Sequence, residues 1–441
     1  MPARPRLLAA SIAAALALGA QAVPAAATTG SATEVSRGVT IPAFYTPPAD
    51  LPEKDGALVR SEPLRLALSL PGLDGPLPGR ATRLMYKSTD ANGGPVAVTG
   101  AYIEPSAKWR GDGPRPLVAV APGTMGQGDQ CAASMGLERP LLFNGRTVSV
   151  GYEDVSIYRL LARGIAVVVT DYVGLGATDR LHTYVNRVDE AHAVLNAVRA
   201  ARALESASVT DESPVGLFGY SQGGGAAAAA AELQPSYAPD VRLAGTYAGA
   251  PPADLAEVTE AIDGGDLAGA IGWSLNGFLQ TEPSLRPIAD RYINRAGREA
   301  LEDLSTMCVG DALFAYNGAR TTAWTTTGQS LGEIVRSEPA LRSLLAEQRI
   351  GTLKPESPVR VATGVADNLV PHAQSRRLAV DWCRKGAKVT YDAVLLPAVG
   401  NDLLNHVSPL LADQGKAISW LTDRLAGKPA GSNCWSMPVQ P

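Results

Sequence analysis

The stretch that decides the fold reads "GYSQGGGAAAAAAEL", from Gly219 to Leu233. It places Ser221 in the pattern G-x-S-x-G, after the apolar run "PVGLF" and before a series of alanines. A serine on a tight strand-to-helix turn needs neighbours with almost no side chain, because the turn brings backbone segments close together. The stretch therefore predicts a buried strand, a strained turn that exposes the Ser221 hydroxyl, and a helix packed close to a sheet. The alternative is a purely structural glycine-rich turn.

Apolar strands and helices alternate on both sides of this stretch. Strand-like runs include "PLVAVAPG", "IAVVVTDY", "RLAGTYAGAPP", "PVRVATG" and "KVTYDAVLLP", and helical periodicity separates most of them. This alternation predicts an α/β fold with a mostly parallel central sheet and helices on both faces. From Pro252 to Leu353 the periodicity is helical and no strand pattern is convincing, which predicts a helical insertion into the sheet.

The first residues have the features of a secretory signal peptide. Arg4 and Arg6 precede the short apolar run "LLAASIAAALALGA", and small residues offer cleavage sites near Ala22 or Ala27. We therefore expect an exported, extracellular protein without a stable membrane anchor. The predicted organisation is a signal peptide (1–27), an N-terminal extended segment that packs on the core (28–82), a first core part (83–251), a helical cap (252–353), and a second core part with a C-terminal tail (354–441). Within the second of these, "IPAFYTPPADLPEKDG" predicts an extended surface segment.

Composition excludes several function classes. The 441 residues are 46% hydrophobic and 19% charged, so the chain can bury a sizeable core. The net charge is −4, and acidic and basic residues are interspersed along the chain. The sequence therefore has no basic patch of the kind that binds nucleic acid. Phosphate-loop, dinucleotide and H-E-x-x-H zinc motifs are absent from the sequence, so we expect no metal and no cofactor.

A serine nucleophile needs a base, and the chain has four histidines. In the hydrolases that use this turn, the chain order is serine, acid, histidine, with the histidine on a loop after the last core strand. His406, in "PAVGNDLLNHVSP", fits that position between the last strand and the final helix. His372 also follows Ser221, at a predicted helix start. His192 falls in a helix, and His182 lies in a loop that is either solvated or part of a cleft.

The acid of such a triad orients the imidazole and stabilises its charged form. Asp367, in "VRVATGVADNLVP", ends the strand that precedes the His406 region and is the predicted acid. Asp402 is its main competitor and is better explained as a cap or turn residue. Asp381 lies in a helical stretch.

Two backbone segments are candidates for the oxyanion hole, the set of N–H donors that stabilises the charged intermediate. One donor is the N–H of Gln222, the residue after the nucleophile. The second comes from the loop after an earlier strand, which here contains Gly123 and Thr124 in "APGTMGQGDQCAAS". An ordinary glycine turn is the alternative explanation of that loop.

The four cysteines are widely spaced and form no C-x-x-C pair. In an exported chain this pattern favours two disulfides over a metal or redox site. Four cysteines allow three pairings, and their spacing does not choose among them.

Several stretches together resemble the secretory lipase family of the α/β-hydrolase superfamily. They are "FYTPPADLP", "YKSTDANGGPVAVTGAYIEP", "PGTMGQGDQCAAS", "DYVGLG", "GYSQGGGAA", "GVADNLVP" and the His406 region. The resemblance covers nearly the whole mature chain in order. It implies a catalytic triad of Ser221, Asp367 and His406, a helical cap or lid over an acyl site, and the disulfides Cys131–Cys308 and Cys383–Cys434. Pro122 departs from the histidine found there in many bacterial members.

The motifs and the resemblance together predict a secreted serine ester hydrolase that acts on triacylglycerols or related lipid esters. Tyr220, Trp273 and Phe278 are its candidate substrate contacts, although Trp273, Leu275 and Phe278 are each better explained as plain cap core. We expect a monomer that touches lipid interfaces only transiently. An acyltransferase with the same triad, or a non-catalytic binding protein on a hydrolase scaffold, would be the alternatives.

Overall fold

The computed structural model describes residues 34–72 and 76–441, and the predicted signal peptide (1–27) lies outside these residues. In chain order, the described strands are β1 (Val35–Ser36), β2 (Val39–Thr40), β3 (Leu58–Leu64), β4 (Gly79–Thr89), β5 (Pro95–Pro105), β6 (Leu117–Ala121), β7 (Leu141–Phe143), β8 (Val148–Val150), β9 (Ala166–Val173), β10 (Val215–Tyr220), β11 (Leu243–Gly249), β12 (Val359–Gly364) and β13 (Val389–Val394). The described α-helices are α1 (Ala133–Glu138), α2 (Asp154–Leu161), α3 (Arg187–Arg202), α4 (Gln222–Tyr237), α5 (Leu255–Ile262), α6 (Gly269–Thr281), α7 (Arg286–Tyr292), α8 (Arg295–Leu304), α9 (Val309–Ala315), α10 (Leu331–Ser337), α11 (Pro339–Glu347), α12 (His372–Arg384) and α13 (Asp402–Leu425).

Nine strands of the described chain form one sheet, in the order β13-β12-β11-β10-β6-β9-β5-β4-β3. Neighbours from β13 to β9 pair in parallel, whereas β5, β4 and β3 extend the sheet with antiparallel pairs. Parallel strands are covered on both faces, which explains why β6, β9 and β10 are unbroken buried runs. The predicted α/β fold with a mostly parallel central sheet is confirmed.

Alternate residues of the strands belong to two separate cores. Ala119 and Leu217 pack in one cluster with helices α3, α4 and α12. Val120 and Phe218 pack in the other cluster with α1, α2 and α13. Because side chains alternate across a strand, these two clusters lie on opposite faces of the sheet. The sheet is therefore flanked by helices on both sides, and β10 and α4 lie at its centre.

Helices α5 to α11 lie between β11 and β12, within the predicted insertion at 252–353. They have an apolar cluster of their own, which includes Ile271, Trp273, Leu304 and Trp324. The chain thus leaves the sheet after β11, builds a helical cap and returns to the sheet at β12.

The described part of the N-terminal segment adds a strand to the main sheet and buried side chains to the core. Strand β3 pairs with β4 at the edge of the main sheet. Ile41 and Tyr45 are buried, and the Tyr45 hydroxyl lies 2.7 Å from Ser134 Oγ. The prediction of a surface segment from Ile41 onward was therefore wrong at its start. Ala43–Tyr45 form a 3₁₀ helix directly after Pro42, and its Phe44 and Tyr45 side chains are buried in the core.

Candidate active site

The turn that carries Ser221 is strained, as its sequence predicts. Ser221 follows β10 directly and precedes α4, with φ 58° and ψ −128°. A β-carbon on Gly219 would lie 2.0 Å from the carbonyl oxygen of Gly223, a distance that no side chain tolerates. The Ser221 N–H donates to the Gly249 carbonyl at 2.9 Å, and its carbonyl accepts from Gly225 N–H at 3.0 Å. Glycine at these positions is therefore a steric requirement of the turn.

His406 lies next to the serine, and its Nε2 is 2.8 Å from Ser221 Oγ. The sequence predicted His406 in a loop, and this was wrong. His406 lies in the first turns of helix α13, which begins at Asp402. The side chain of Asn401 caps this helix by accepting from Leu404 N–H at 2.8 Å. Pro409 lies inside α13. Because proline normally ends a helix, the sequence does not indicate that the final helix extends back past Pro409 to His406.

Asp367 follows β12 and completes a hydrogen-bonded chain of three side chains. Its Oδ2 accepts from His406 Nδ1 at 2.7 Å. Its Oδ1 accepts from the N–H groups of Leu369 and Val370 at 3.1 and 3.0 Å. The carboxylate is buried with both oxygens hydrogen-bonded, which fixes the direction in which it holds the imidazole.

The other candidate acids and bases lie elsewhere. Asp402 accepts from Asn368 at the start of α13. Asp381 on α12 forms an ion pair with Arg349 at 3.5 Å. His372 starts α12, and its Nε2 is 3.2 Å from the Tyr391 hydroxyl.

His192 is packed on α3. Its ring stacks on Tyr237 with the centroids 3.5 Å apart. Its Nδ1 lies 2.7 Å from the Thr89 carbonyl oxygen. These contacts give His192 a packing role on α3.

The loop after β6 lies beside the start of α4, and it corrects one predicted oxyanion donor. The Gly123 N–H already donates to Glu153 Oε1 at 2.8 Å, so it is committed to a buried carboxyl group. The Thr124 N–H has no acceptor among the described residues. The Thr124 carbonyl accepts from the Tyr152 hydroxyl at 2.9 Å, which ties this part of the loop to Tyr152. Of the two residues predicted in this loop, only Thr124 keeps a backbone N–H without an acceptor in the described part of the chain.

Gln222 starts α4, and its backbone N–H also has no acceptor among the described residues. An unpaired N–H at a helix N-terminus is suited to stabilising negative charge. The side chain of Gln222 is buried against His182 and Glu190. The sequence analysis did not single out Glu190, and it gave His182 only as a residue of a solvated loop or a cleft. His182 is fully buried, so the sequence-based option of a solvated loop was wrong.

Ser221 and Gln222 form part of the wall of a cavity of about 980 Å³, its solvent-open mouth included. Most of the remaining wall is apolar and comes from α5, α6, α10, α11 and the residues after Asp367. Phe278 and Leu275 belong to this wall. The cavity thus connects the Ser221 hydroxyl to an extended apolar surface.

Two predicted substrate contacts are placed differently. Trp273 is fully buried in the cap core, and its indole N–H donates to the Leu304 carbonyl at 2.9 Å. The Tyr220 hydroxyl donates to the His406 carbonyl at 2.7 Å. In the described chain neither side chain lines the cavity, because strand and helix geometry direct them into the core and toward α13. The Tyr220 hydroxyl therefore contacts the backbone of His406 and not the described cavity.

Comparison with known proteins identifies the family. The model of the secretory lipase family matches residues 137–433, about two thirds of the chain. The chain belongs to the secretory lipase family. A probable inactive lipase of Mycobacterium tuberculosis is 31% identical to this secretory lipase over 88% of the chain and 82% of that protein. A secreted triacylglycerol lipase of Malassezia globosa is 27% identical over 54% of the chain and 52% of that protein.

Solved structures share the fold of this chain. Candida antarctica lipase A superposes with a TM-score of 0.72 at 18% identity, covering 89% of this chain and 87% of that one. The rice cell wall degrading esterase LipA of Xanthomonas oryzae superposes with a TM-score of 0.66 at 18% identity, covering 83% and 97%. These likenesses establish the α/β-hydrolase fold, and the family membership establishes the class of lipid ester hydrolases.

The family's description as secretory agrees with the predicted export of this chain. Among the described residues, none of the helices combines the length and the apolar character that crossing a bilayer requires.

Both disulfides implied by the family resemblance are present. Cys131–Cys308 joins the loop after β6 to the cap, and Cys383–Cys434 joins α12 to the C-terminal tail. Backbone hydrogen bonds reinforce the first junction, since Gln127 N–H donates to the Met307 carbonyl at 2.9 Å. The base of the cap in this secretory lipase is therefore fastened to the loop that carries Thr124.

Proposed function

We propose that this secretory lipase is an active serine hydrolase that cleaves acylglycerols or related lipid esters. The observation that carries the proposal is one continuous chain of contacts: Asp367 Oδ2 to His406 Nδ1 at 2.7 Å, and His406 Nε2 to Ser221 Oγ at 2.8 Å. This geometry favours activity, even though one relative is described as a probable inactive lipase.

The proposed reaction proceeds through an acyl-enzyme. His406 removes the proton from Ser221 Oγ, which attacks the ester carbonyl and forms a tetrahedral oxyanion. The backbone N–H groups of Gln222 and Thr124 stabilise that oxyanion. Collapse breaks the ester bond, and His406 gives its proton to the departing alcohol. A water molecule, deprotonated by the same imidazole, then attacks the acyl group and releases the acid and free Ser221.

The apolar lining of the cavity favours an acyl chain as the part of the substrate that binds there. Its walls carry Leu255, Ile271, Phe278 and Leu344, with few polar groups apart from those near Ser221. A buried hydrocarbon chain gains roughly 0.8 kcal/mol for each methylene removed from water. Such a wall favours esters of medium and long fatty acids over polar esters.

The proposal is tested with the purified mature protein, Ser221→Ala and the exposed-site control Ser343→Ala. We expect the wild type and the control to hydrolyse p-nitrophenyl and glycerol esters and to react with a fluorophosphonate. Ser221→Ala should lose both properties while retaining its melting temperature. Hydrolysis that persists in Ser221→Ala would contradict the assigned nucleophile.

The same assay separates the two alternatives. Adding glycerol as an acceptor measures transfer, and more acyl transfer than hydrolysis would favour an acyltransferase. A folded wild type that neither labels nor hydrolyses any ester would favour a non-catalytic binding protein.

A further inference from the structure

The side chain of Gln222 is held in a single orientation beneath the catalytic turn. It is 2% exposed, and its Nε2 donates to Glu190 Oε1 at 2.7 Å. The same nitrogen lies 3.1 Å from His182 Nε2. His182 Nδ1 is 3.0 Å from the Val173 carbonyl, which can only accept, so Nδ1 carries the proton and Nε2 accepts. Both amide hydrogens of Gln222 are therefore used.

Glu190 is costly to bury in this position. It is 3% exposed, and no lysine or arginine forms an ion pair with it in the described part of the chain. Its Oε1 also accepts from the Val185 N–H at 3.0 Å. Burial raises the pKa of Glu190 to about 8, against the hydrogen bonds from Gln222 and Val185, which lower it. A buried carboxyl group without a counter-ion is unfavourable unless hydrogen bonds satisfy it, so the bonds from Gln222 and Val185 are needed to hold Glu190 here.

The segment from His182 to Glu190 also contacts the other half of the proposed oxyanion hole. The Tyr184 hydroxyl lies 2.7 Å from Thr124 Oγ1. The His182 ring stacks on Tyr172, with centroids 5.8 Å apart and planes 10° apart. One short segment between β9 and α3 therefore touches both residues whose N–H groups are proposed to stabilise the oxyanion.

We propose that Glu190 is a positioning residue of the oxyanion hole, acting through the side chain of Gln222. The inference rests on the proposed function. The direction of the Gln222 N–H depends on the strained turn at Ser221 and on the side chain that anchors the first turn of α4. A misplacement of about 1 Å at a reacting group can cost about a hundredfold in rate.

Glu190 does not line the cavity within the described chain, so it acts without touching substrate. An oxyanion donor acts on the transition state and hardly at all on the bound ester. Loss of the Glu190 contact should therefore lower kcat and leave KM nearly unchanged. A residue that only supports the fold would lower the melting temperature without this split.

The experiment compares Glu190→Ala and Glu190→Gln with the wild type, and uses Asp189→Asn as a matched control. Asp189 is the adjacent buried carboxyl on α3, and it accepts from Ala91 N–H at 2.6 Å, away from Gln222. For p-nitrophenyl butyrate at neutral pH, we expect kcat to fall roughly tenfold or more in Glu190→Ala with KM within about twofold. Glu190→Gln, which keeps an accepting oxygen, should recover most of kcat, and the control should keep it.

The pH profile provides a readout that a structural role would not change. The titratable groups around Glu190 are Asp189 on α3, Tyr172 on β9, and His182 and Tyr184 on the connecting segment. Above about pH 8, ionised Glu190 places a negative charge near the developing oxyanion, so wild-type kcat should decline. Glu190→Gln should lack this decline. Should Glu190→Ala fail to fold, this comparison still tests the proposal.

Three results would overturn the inference. They are an unchanged kcat in folded Glu190→Ala, a rise in KM alone, and an alkaline decline that is identical in Glu190→Gln. In each case, hydrolysis by the wild type and its loss in Ser221→Ala would leave the proposed function intact. A wild type that hydrolyses no ester would overturn both proposals together.

Discussion

A β-carbon on Gly223 would lie 2.0 Å from the carbonyl oxygen of Ala121, the last residue of β6. The start of α4 and the end of β6 are therefore in backbone contact. This contact brings the loop at Thr124 beside the N-terminus of α4, where Gln222 follows the nucleophile. The glycines of the catalytic turn thus set the distance between the two halves of the proposed oxyanion hole.

Gly223→Ala is expected to disrupt both stability and activity. The added methyl group meets main-chain atoms that cannot rotate away, so we expect the free energy of unfolding to fall by about 3 kcal/mol. We also expect kcat for ester hydrolysis to fall at least about a hundredfold, because the loop and α4 must separate. Urea unfolding and steady-state kinetics measure the two effects.

Gly415→Ala provides the matched control for this substitution. Gly415 lies on an exposed part of α13, and an added β-carbon there meets nothing within 4 Å. We expect unchanged kcat and a gain of roughly 0.5–1 kcal/mol from the better helix propensity of alanine. Equal losses from both substitutions would contradict the steric explanation.

Ser274→Trp should change acyl-chain preference. Ser274 lies on α6 in the cavity wall, and an indole there fills space that an acyl chain would occupy. We expect kcat/KM to fall about tenfold or more for decanoate esters but less than about threefold for acetate esters. Competition assays with p-nitrophenyl esters of increasing acyl length measure the ratio.

The matching control is Ser343→Trp, on an exposed part of cap helix α11. It introduces the same side chain outside the cavity and should leave the length profile unchanged. A uniform loss across all esters in Ser274→Trp would indicate cap distortion rather than a blocked acyl site.

Glu153 should make stability depend on pH. Burial raises its pKa from an ordinary 4.5 to about 7, although the hydrogen bond from Gly123 N–H lowers it. Because the folded state favours the protonated group, its contribution is fully present below about pH 4.5 and is lost as the pH rises through about 7, by up to about 3 kcal/mol. Glu153→Gln should therefore gain stability relative to the wild type as the pH rises.

Urea unfolding at about pH 5 and about pH 9 measures this difference. Glu205→Gln, at an exposed position, is the control and should follow the wild type. A stability difference between wild type and Glu153→Gln that is the same at both pH values would contradict the role of Glu153.

The sequence predicts the parts of the fold and site that depend on local patterns. The turn at Ser221 is encoded by its own neighbours, and the alternation of apolar runs predicts the sheet. The positions of Asp367 and His406 follow from chain order and from the family resemblance. The predicted turn and sheet are found because the steric demands of a tight turn and the burial of parallel strands are both encoded in short stretches of sequence. The catalytic roles of Asp367 and His406 stay predictions.

The remaining errors concern contacts between segments far apart in the chain. The acceptor of the Gly123 N–H is Glu153, thirty residues away, and no local pattern reveals it. The burial of Trp273 in the cap depends on how helices pack, which residue type alone does not decide. Glu190 falls on an ordinary helix start in the sequence, and its role becomes visible only when Gln222 is adjacent.

The two disulfides should differ in their effect on catalysis. Replacing both cysteines of Cys131–Cys308 with serine removes the covalent link between the cap and the loop that carries Thr124. Removing either disulfide should cost about 2–4 kcal/mol of stability. Only the loss of Cys131–Cys308 should also lower kcat, because only its loop holds a proposed oxyanion donor.

The double serine variant of Cys383–Cys434, the disulfide that holds the C-terminal tail on α12, is the control and should retain kcat in the same assay. Equal retention of kcat in both variants, at a temperature where both are folded, would show that the hydrogen bonds around the loop position it without the covalent link.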